Sequence, residues 1–158
     1  MEEKKKKIFL VGGDHKIQYT NANDGPKWRC DVRQFEDYLV HQGQNHVVDL
    51  LAEEFSEEAV HINNATGCTV RDAAHRLSRP HMFCDPNTQQ RKERGIARHD
   101  HNRREMFWLE LLNGTTGQRI LFMCGDDHVD SFSRKLQAAG FEAQVLSRGW
   151  GKDWRSKD

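Results

Sequence analysis

Short apolar runs that alternate with helical segments constrain this chain more than any other feature of its sequence. The runs KIFLVGG (7–13) and RILFMCG (119–125) are apolar and end in glycine, which is typical of strands buried on both faces of a sheet. HMFC, EAQVLS and the core of VVDLLAEE predict three more strands. Because strands that alternate with helices form βαβ units, we predict an α/β fold. Its sheet should be open and mostly parallel, with about five strands and helices on both faces.

The segments between these runs show helical periodicity. Apolar residues recur at helical spacing over 31–42, and Gly43 is expected to end that helix. SEEAVHI, TVRDAAHRL, REMFWLELL and DSFSRKLQAAG predict four more helices, with Thr69 as the N-cap of the second and Gly140 as the C-cap of the last. The polar, basic segment from Thr88 to Arg104 is expected to form a helical turn and an exposed loop.

Composition indicates a globular protein of one domain. A length of 158 residues, 36% of them hydrophobic, suffices for a single core. We expect one α/β domain over residues 1–158, with a polar N-terminal leader and a tryptophan-containing C-terminal tail. No apolar run reaches the roughly 18 residues that a membrane span needs, and IFLVGG is too short for a signal-peptide core. A cytoplasmic protein with no membrane partner is the resulting expectation.

Charge and cysteine content weigh against two further classes of protein. The 24 Lys and Arg residues balance the 24 Asp and Glu residues, so no global charge would recruit nucleic acid. Cys30, Cys68, Cys84 and Cys124 are far apart and form no C-x-x-C pair. This favours reduced, mostly buried thiols over two disulfides.

Polar side chains that can bind metal or transfer protons follow four of the predicted strands. They are Asp14 and His15, Glu53 and Glu54, Asp85, and finally Asp126, Asp127 and His128. Because the carboxyl ends of parallel strands meet at one edge of a sheet, we expect these side chains to converge. Glu53 and Glu54 point in opposite directions along an extended chain, so one should reach the centre while the other supports it.

The histidines and glutamates among these residues suit a metal centre. Two imidazoles with one or two carboxylates are typical ligands of Zn²⁺, Mn²⁺, Fe²⁺ or Co²⁺, with positions left open for water. The expected ligands are His15, Glu53, Glu54 and His128. Such an ion lowers the pKa of bound water and polarises a substrate oxygen. Without a metal, a histidine polarised by a carboxylate can still act as base and acid.

Two G-x-x-H motifs and a glutamate pair carry a family resemblance. The motifs are Gly12-Gly13-Asp14-His15, Glu53-Glu54 and Gly125-Asp126-Asp127-His128. Together they resemble the TraB/Tiki group within the wider erythromycin-esterase/ChaN-like superfamily. That group also has an arginine that opens a helix before the last motif. NRREMFWLE is similar, which nominates Arg104, with Arg103 as the alternative.

The resemblance implies where the functional site lies, but it does not imply one substrate. Members of the superfamily include metal-dependent peptidases, esterases that act on macrolides and a haem-binding protein. For this chain it implies a hydrolase with His15, Glu53, Glu54, His128 and Arg104 as its catalytic residues. A divalent transition metal is the implied cofactor, and haem is the other option.

Several further residues are secondary candidates. Cys84 and Asp85 lie near His81, so a thiolate nucleophile is one reading, although buried strand cysteines are commoner. Asp14, Asp127 and Arg103 complete this set. The segment from Arg91 to Arg104 is read either as a solvated loop or as a lid that neutralises an anionic substrate. Trp150 and Trp154 are expected to dock on the chain's own sheet or on a second copy in a homo-oligomer.

Three functions are therefore compatible with the sequence. The first is a metal-dependent hydrolase acting on a small-molecule or peptide substrate, which the basic segment would allow to be anionic. The second is a non-catalytic protein that binds haem, a metal or an anionic nucleotide-like ligand in the same crevice. The third and weakest is a metal-dependent nuclease, in which the basic segment would contact the phosphate backbone.

Overall fold

The computed structural model describes residues 4–152 and confirms the predicted α/β class, with five parallel strands in one sheet. The strands are β1 (Lys7–Gly13), β2 (Tyr19–Thr20), β3 (Leu50–Glu53), β4 (Gly67–Cys68), β5 (His81–Phe83), β6 (Arg119–Gly125) and β7 (Glu142–Trp150). The helices are α1 (Pro26–Asn45), α2 (Glu57–Ile62), α3 (Thr69–Arg76), α4 (Thr88–Arg94), α5 (His101–Gly114) and α6 (Asp126–Ala138), and a 3₁₀ turn spans His15–Gln18. The sheet order is β5-β3-β6-β1-β7, while β2 and β4 form a separate antiparallel pair.

The two glycine-ended runs, β1 and β6, are neighbours near the centre of the sheet. Both are buried along almost their whole length, because their apolar sequences leave no face for water. Their parallel register pairs Gly12 with Cys124 and Gly13 with Gly125. The residues that follow each strand, including His15 and His128, therefore start from the same level of the same sheet edge.

Two helical layers cover this sheet. On one face, α1 and α3 pack so that Phe35 joins Phe9 of β1 in a single buried cluster. On the other face, Trp108 of α5 and Phe132 of α6 cluster with Ile8. Consecutive side chains of β1 thus enter opposite clusters, as the two-residue period of a strand requires.

The helix α1 is longer than the segment 31–42 that its periodicity predicts, since it spans Pro26–Asn45. Proline suits the first turn of a helix because no intrahelical partner exists for an amide there. The prediction that Gly43 ends the helix is wrong. Gly43 lies within the helix, where an added Cβ would come within 2.5 Å of Leu77 Cδ1. The glycine therefore permits close packing instead of a stop.

The predicted caps of α3 and α6 each lie one residue after the observed cap. Cys68 holds the N-cap position of α3, and Thr69 is the first helical residue, with its hydroxyl donating to the Ile17 carbonyl at 2.7 Å. Ala139 is the C-cap of α6, and Gly140 follows with φ of +93°. That left-handed conformation is the one glycine adopts at low cost.

The basic segment from Thr88 to Arg104 contains more helix than its sequence predicts. Asn87 and Gln90 form a capping box that starts α4. Gly95, with φ of +64°, ends this helix. After a short loop, α5 begins at His101 and includes the predicted helix REMFWLELL.

The last strand extends beyond the predicted EAQVLS to Trp150. The Trp150 ring lies 5.1 Å from that of Phe35 and 4.7 Å from that of Tyr38, measured between centroids. Trp150 therefore docks on the chain's own helix α1. Trp154 lies outside the described residues.

The cysteines and the helices of residues 4–152 bear on the expectations of reduced thiols and of no membrane span. All four cysteines are free thiols, with Cys30 exposed and Cys68, Cys84 and Cys124 buried. No helix within this part of the chain is long and apolar enough to cross a membrane.

Candidate functional site

The side chain of Glu54 lies at the centre of the candidate site. Glu54 directly follows β3, and its side chain is fully buried. Its Oε1 accepts a hydrogen bond from the Gly125 backbone amide at 2.8 Å, and its Oε2 accepts one from Arg104 Nη2 at 2.5 Å. The Nε2 atoms of His15 and His128 each lie 3.4 Å from the same Oε2. One carboxylate oxygen thus brings together both G-x-x-H histidines and the nominated arginine.

His15 is held by a chain of side-chain hydrogen bonds. It begins the 3₁₀ turn after β1, and its Nδ1 lies 2.8 Å from Gln18 Oε1. Gln18 Nε2 donates to Glu53 Oε1 at 2.9 Å, which identifies the other amide atom as the oxygen. Because an amide oxygen only accepts, His15 must carry its proton on Nδ1 in the neutral state. Its Nε2 therefore presents a lone pair towards Glu54.

Glu53 does not reach the centre of the site. It points away from Glu54, and its Oε2 lies 2.5 Å from His81 Nε2. With Oε1 bound to Gln18, both oxygens of this fully buried carboxylate are occupied. The opposite directions of consecutive strand residues separate the two glutamates. Glu53 supports His15 through Gln18 instead of joining it.

His128 lies in the first turn of α6 and is held by a buried carboxylate on α5. Its Nδ1 lies 2.6 Å from Glu105 Oε2, and Glu105 also accepts hydrogen bonds from Ser131 and Lys135. Burial opposes ionisation of Glu105, but the hydrogen bonds from these three residues outweigh it and hold its pKa below the ordinary value. The His101 ring packs against that of His128, with centroids 4.2 Å apart and the ring planes inclined by 43°.

Arg104 connects the centre to Asp85, the residue that follows β5 and Cys84. Its Nε donates to Asp85 Oδ1 at 3.1 Å, and Trp108 Nε1 donates to the same oxygen at 3.0 Å. Burial disfavours the charged guanidinium, but Asp85 and Glu54 outweigh it and raise its pKa. Arg103, the alternative, is exposed and donates to the Gly95 carbonyl away from this cluster.

The other secondary candidates lie outside the central cluster. Asp14 caps the 3₁₀ turn, where its Oδ1 accepts from the Lys16 amide at 2.9 Å. Asp127 is exposed in the first turn of α6. Cys84 is fully buried, and burial raises the pKa of its thiol far above the ordinary value. A thiol in that state is a poor nucleophile.

A cleft of two lobes opens over the cluster, and His15 and Arg104 line both. The larger lobe has a volume of about 490 Å³ and extends over the start of α2 and the loop before α5. The smaller lobe has a volume of about 310 Å³ and is lined by His101, Asp127 and His128 among others. His15 is the most accessible member of the cluster, since 51% of its side chain is exposed. A ligand can therefore reach His15 and Arg104 from either lobe.

The fit of this site to a metal depends on its donor chemistry. Within residues 4–152, no three or more His, Cys, Asp or Glu side chains are arranged so that they could hold a metal ion together. The donor types are nevertheless those of a transition-metal site, with two imidazole Nε2 atoms and one carboxylate oxygen. Each imidazole also has its Nδ1 bound to an oxygen, which is the usual support of a metal-binding histidine.

Two supporting residues, Gln18 and Glu105, were not predicted from the sequence. Gln18 lies three residues after His15, a spacing that places both on one side of a helical turn. Glu105 shares a helix face with Trp108 and Leu112, which are apolar and buried. A carboxylate on an apolar face was the signal that could have identified Glu105, because buried charges are almost always paired.

Comparison of this chain with protein-family models, with curated proteins and with solved structures gives no match.

Proposed function

We propose that this protein is a metal-dependent hydrolase of the TraB/Tiki type, with its reacting centre at Glu54, His15, His128 and Arg104. The observation that carries the proposal is the approach of Arg104, His15 and His128 to one buried oxygen, Glu54 Oε2. A structural ion pair needs one cation and has no use for two oriented imidazoles beside an open cleft. The motif resemblance supports the same class of reaction.

His15, His128 and Glu54 are the residues that would hold the metal, after their side chains move from the present arrangement, in which no three such groups of residues 4–152 are placed to share an ion. When bound, a divalent transition metal would supply a Lewis acid and lower the pKa of a water molecule. Gln18 and Glu105 keep a proton on Nδ1 of each imidazole, so both Nε2 lone pairs remain available as ligands. Glu53 takes no direct part, because it is bound to Gln18 and His81.

Arg104 is the residue that we propose to contact substrate. It lines both lobes of the cleft and is already ionised and oriented by Glu54 and Asp85. A fixed guanidinium can stabilise the negative charge that develops on a carbonyl or phosphoryl oxygen during hydrolysis. Because its position is set by two carboxylates before substrate arrives, this stabilisation costs little reorganisation.

The decisive experiment replaces each histidine of the cluster by alanine. His15→Ala and His128→Ala should each lower the rate of hydrolysis at least ~100-fold on any ester, amide or phosphodiester that the parent cleaves. His41→Ala is the matched control, because His41 is exposed on α1 and lines neither lobe of the cleft. Rates should be read together with far-UV circular dichroism, so that loss of fold is separated from loss of chemistry.

Two results would contradict the proposal. One is full turnover by both variants, and the other is no turnover by the parent on any compound in libraries of esters, amides and phosphodiesters. If the parent keeps full activity after dialysis against EDTA and both variants still lose activity, only the metal part of the proposal is wrong. The two imidazoles would then act as proton acceptor and donor.

A further inference from the structure

The larger lobe has a basic lining, part of which has no partner in the protein. Arg91, Arg98, His99 and Arg104 belong to this lining. Arg104 is bound to carboxylates, and Arg91 donates to the Pro86 carbonyl and to the Thr88 hydroxyl. In the described part of the chain, the side chains of Arg98 and His99 make no hydrogen bond or ion pair. Their donors face a cleft in which a ligand can accept them.

The carboxylates of the same lobe equal its three arginines in number, but none of them pairs with Arg98 within residues 4–152. They are Glu54, Glu58 and Asp85. Glu54 is fully buried and Asp85 only 17% exposed, and both are bound to Arg104. Glu58 accepts hydrogen bonds from the amide and hydroxyl of Thr88, which lower its pKa. Each carboxylate therefore already has donors, whereas Arg98 has no acceptor within residues 4–152.

Apolar side chains also line the larger lobe. Tyr19 and Phe55 stack there with ring centroids 5.7 Å apart, and Ile62 lines the same lobe with 70% of its surface exposed. The lining of the lobe thus combines apolar surface with arginine and histidine side chains.

The smaller lobe is more acidic than the larger one. Asp14, Asp126 and Asp127 line it against Lys152 and the shared Arg104, and Asp127 is exposed. An anionic group is therefore less favoured there than in the larger lobe, where carboxylates and arginines are equal in number. The two lobes meet at His15 and Arg104, so the difference between them orients any ligand that spans both.

We infer that the substrate is an amphiphilic organic anion, with a carboxylate or phosphate group bound by Arg98 and His99 and an apolar body against Tyr19, Phe55 and Ile62. This inference rests on the proposed function, and it deepens it by naming the substrate class. The bond to be cleaved lies at the border of the two lobes. Hydrolysis adds the hydroxyl of water to the acyl or phosphoryl centre and the remaining proton to the leaving group, which departs into the smaller lobe.

The test uses binding of two fluorescent probes of the same shape, 2-naphthoate and its neutral amide, 2-naphthamide. The full chain should bind the anion more tightly than the amide at low ionic strength, and added salt should reduce the difference. Arg98→Ala should weaken naphthoate binding roughly fivefold and leave naphthamide unchanged. Ile62→Ser should weaken the binding of both probes, because it removes apolar surface and no charge.

Two control variants make the test specific to this lobe. Lys92→Ala removes one positive charge from the same basic segment, but Lys92 is exposed and does not line the lobe. Met106→Ser removes an exposed apolar side chain from a groove beside α5 that also contains Arg94 and Arg103. Neither variant should change the affinity for naphthoate.

The inference is overturned if naphthoate and naphthamide bind equally, if neither binds at millimolar concentration, or if the controls weaken binding as much as Arg98→Ala does. These outcomes are independent of turnover, because binding of the probes needs no reaction. If Arg98→Ala removes the preference for the anion while the parent hydrolyses nothing, the anion site is supported and the proposed hydrolase is the claim that fails.

Discussion

Glu105 supports the site from outside the cleft. Its carboxylate is buried, holds Nδ1 of His128 at 2.6 Å and neutralises Lys135. It therefore positions His128 from behind, as carboxylates do for metal-binding and acid–base histidines. We class Glu105 as a positioning residue, because it contacts neither lobe of the cleft.

Replacement of Glu105 by glutamine should lower activity and change the pH dependence of stability. The amide keeps a similar shape but leaves Lys135 without its counter-charge, and a roughly 10- to 100-fold loss of hydrolysis is expected. The depressed pKa of Glu105 contributes stability that is fully present above its ordinary value of 4.5 and is lost as pH falls through the folded-state value. The difference in unfolding free energy between parent and variant should therefore be full at pH 7 and shrink below about pH 4.5.

Urea unfolding at pH 7, 5 and 3.5 measures this difference directly. Glu110→Gln is the matched control, since Glu110 is on the same helix but 64% exposed and paired only with an exposed arginine. It should affect neither the rate nor the pH dependence. A Glu105→Gln variant with parental activity would show that His128 needs no ionised partner.

At the scale of the elements, the two motif glycines allow different contacts. α6 crosses so close to β1 that a Cβ on Gly12 would lie 2.6 Å from Asp126 Oδ1 and 2.7 Å from Val129 Cγ2. A Cβ on Gly125 would instead lie 3.3 Å from Nε2 of His15. The first glycine thus permits helix–strand packing, and the second leaves room for the histidine of the other motif.

Alanine at these two glycines should separate stability from activity. Gly12→Ala should cost about 1–3 kcal/mol of unfolding free energy, because it overpacks the contact with α6. Gly125→Ala should cost less stability, since the half-exposed His15 can move, but that movement should lower activity. Gly114→Ala is the control, because a Cβ there meets nothing within 4 Å. Equal losses of stability in Gly12→Ala and Gly114→Ala would contradict this account.

At the scale of the whole molecule, the proposed metal would join three distant parts of the chain. His15, Glu54 and His128 belong to segments that follow three different strands of the sheet. An ion that binds them together can do so only in the folded protein. It must then stabilise the fold by mass action, by about 2.7 kcal/mol at a free concentration 100 times the Kd.

Thermal unfolding provides the measurement. After dialysis against EDTA, addition of Mn²⁺, Co²⁺, Zn²⁺ or Fe²⁺ should raise the Tm of the parent, and His15→Ala should reduce that rise. His41→Ala should behave as the parent does, since it retains the whole cluster. An equal rise in all three proteins would place the bound ion elsewhere, and no rise with any of the four metals would contradict a metal site at this cluster.

The sequence by itself determined the five strands of the main sheet and the level at which polar residues follow them. Apolar runs such as 7–13 and 119–125 define buried strands by local composition, and residues directly after a strand must lie at its end. His15 and His128 could therefore be nominated without a structure. Local patterns failed where packing between elements decides, as for Gly43, whose role depends on Leu77.

Only the tertiary structure decided which residues meet. The placement of β6 between β1 and β3 brings both motifs beside Glu54, and no local pattern encodes the order of strands. Which glutamate points inwards, and which arginine reaches it, depends on the rotation of β3 and α5 about their axes once packed. The contacts of Gln18 with Glu53 and of Glu105 with His128 join residues 35 and 23 positions apart. Such contacts follow from the three-dimensional fold, because side-chain periodicity specifies a face of an element and not the partner that covers it.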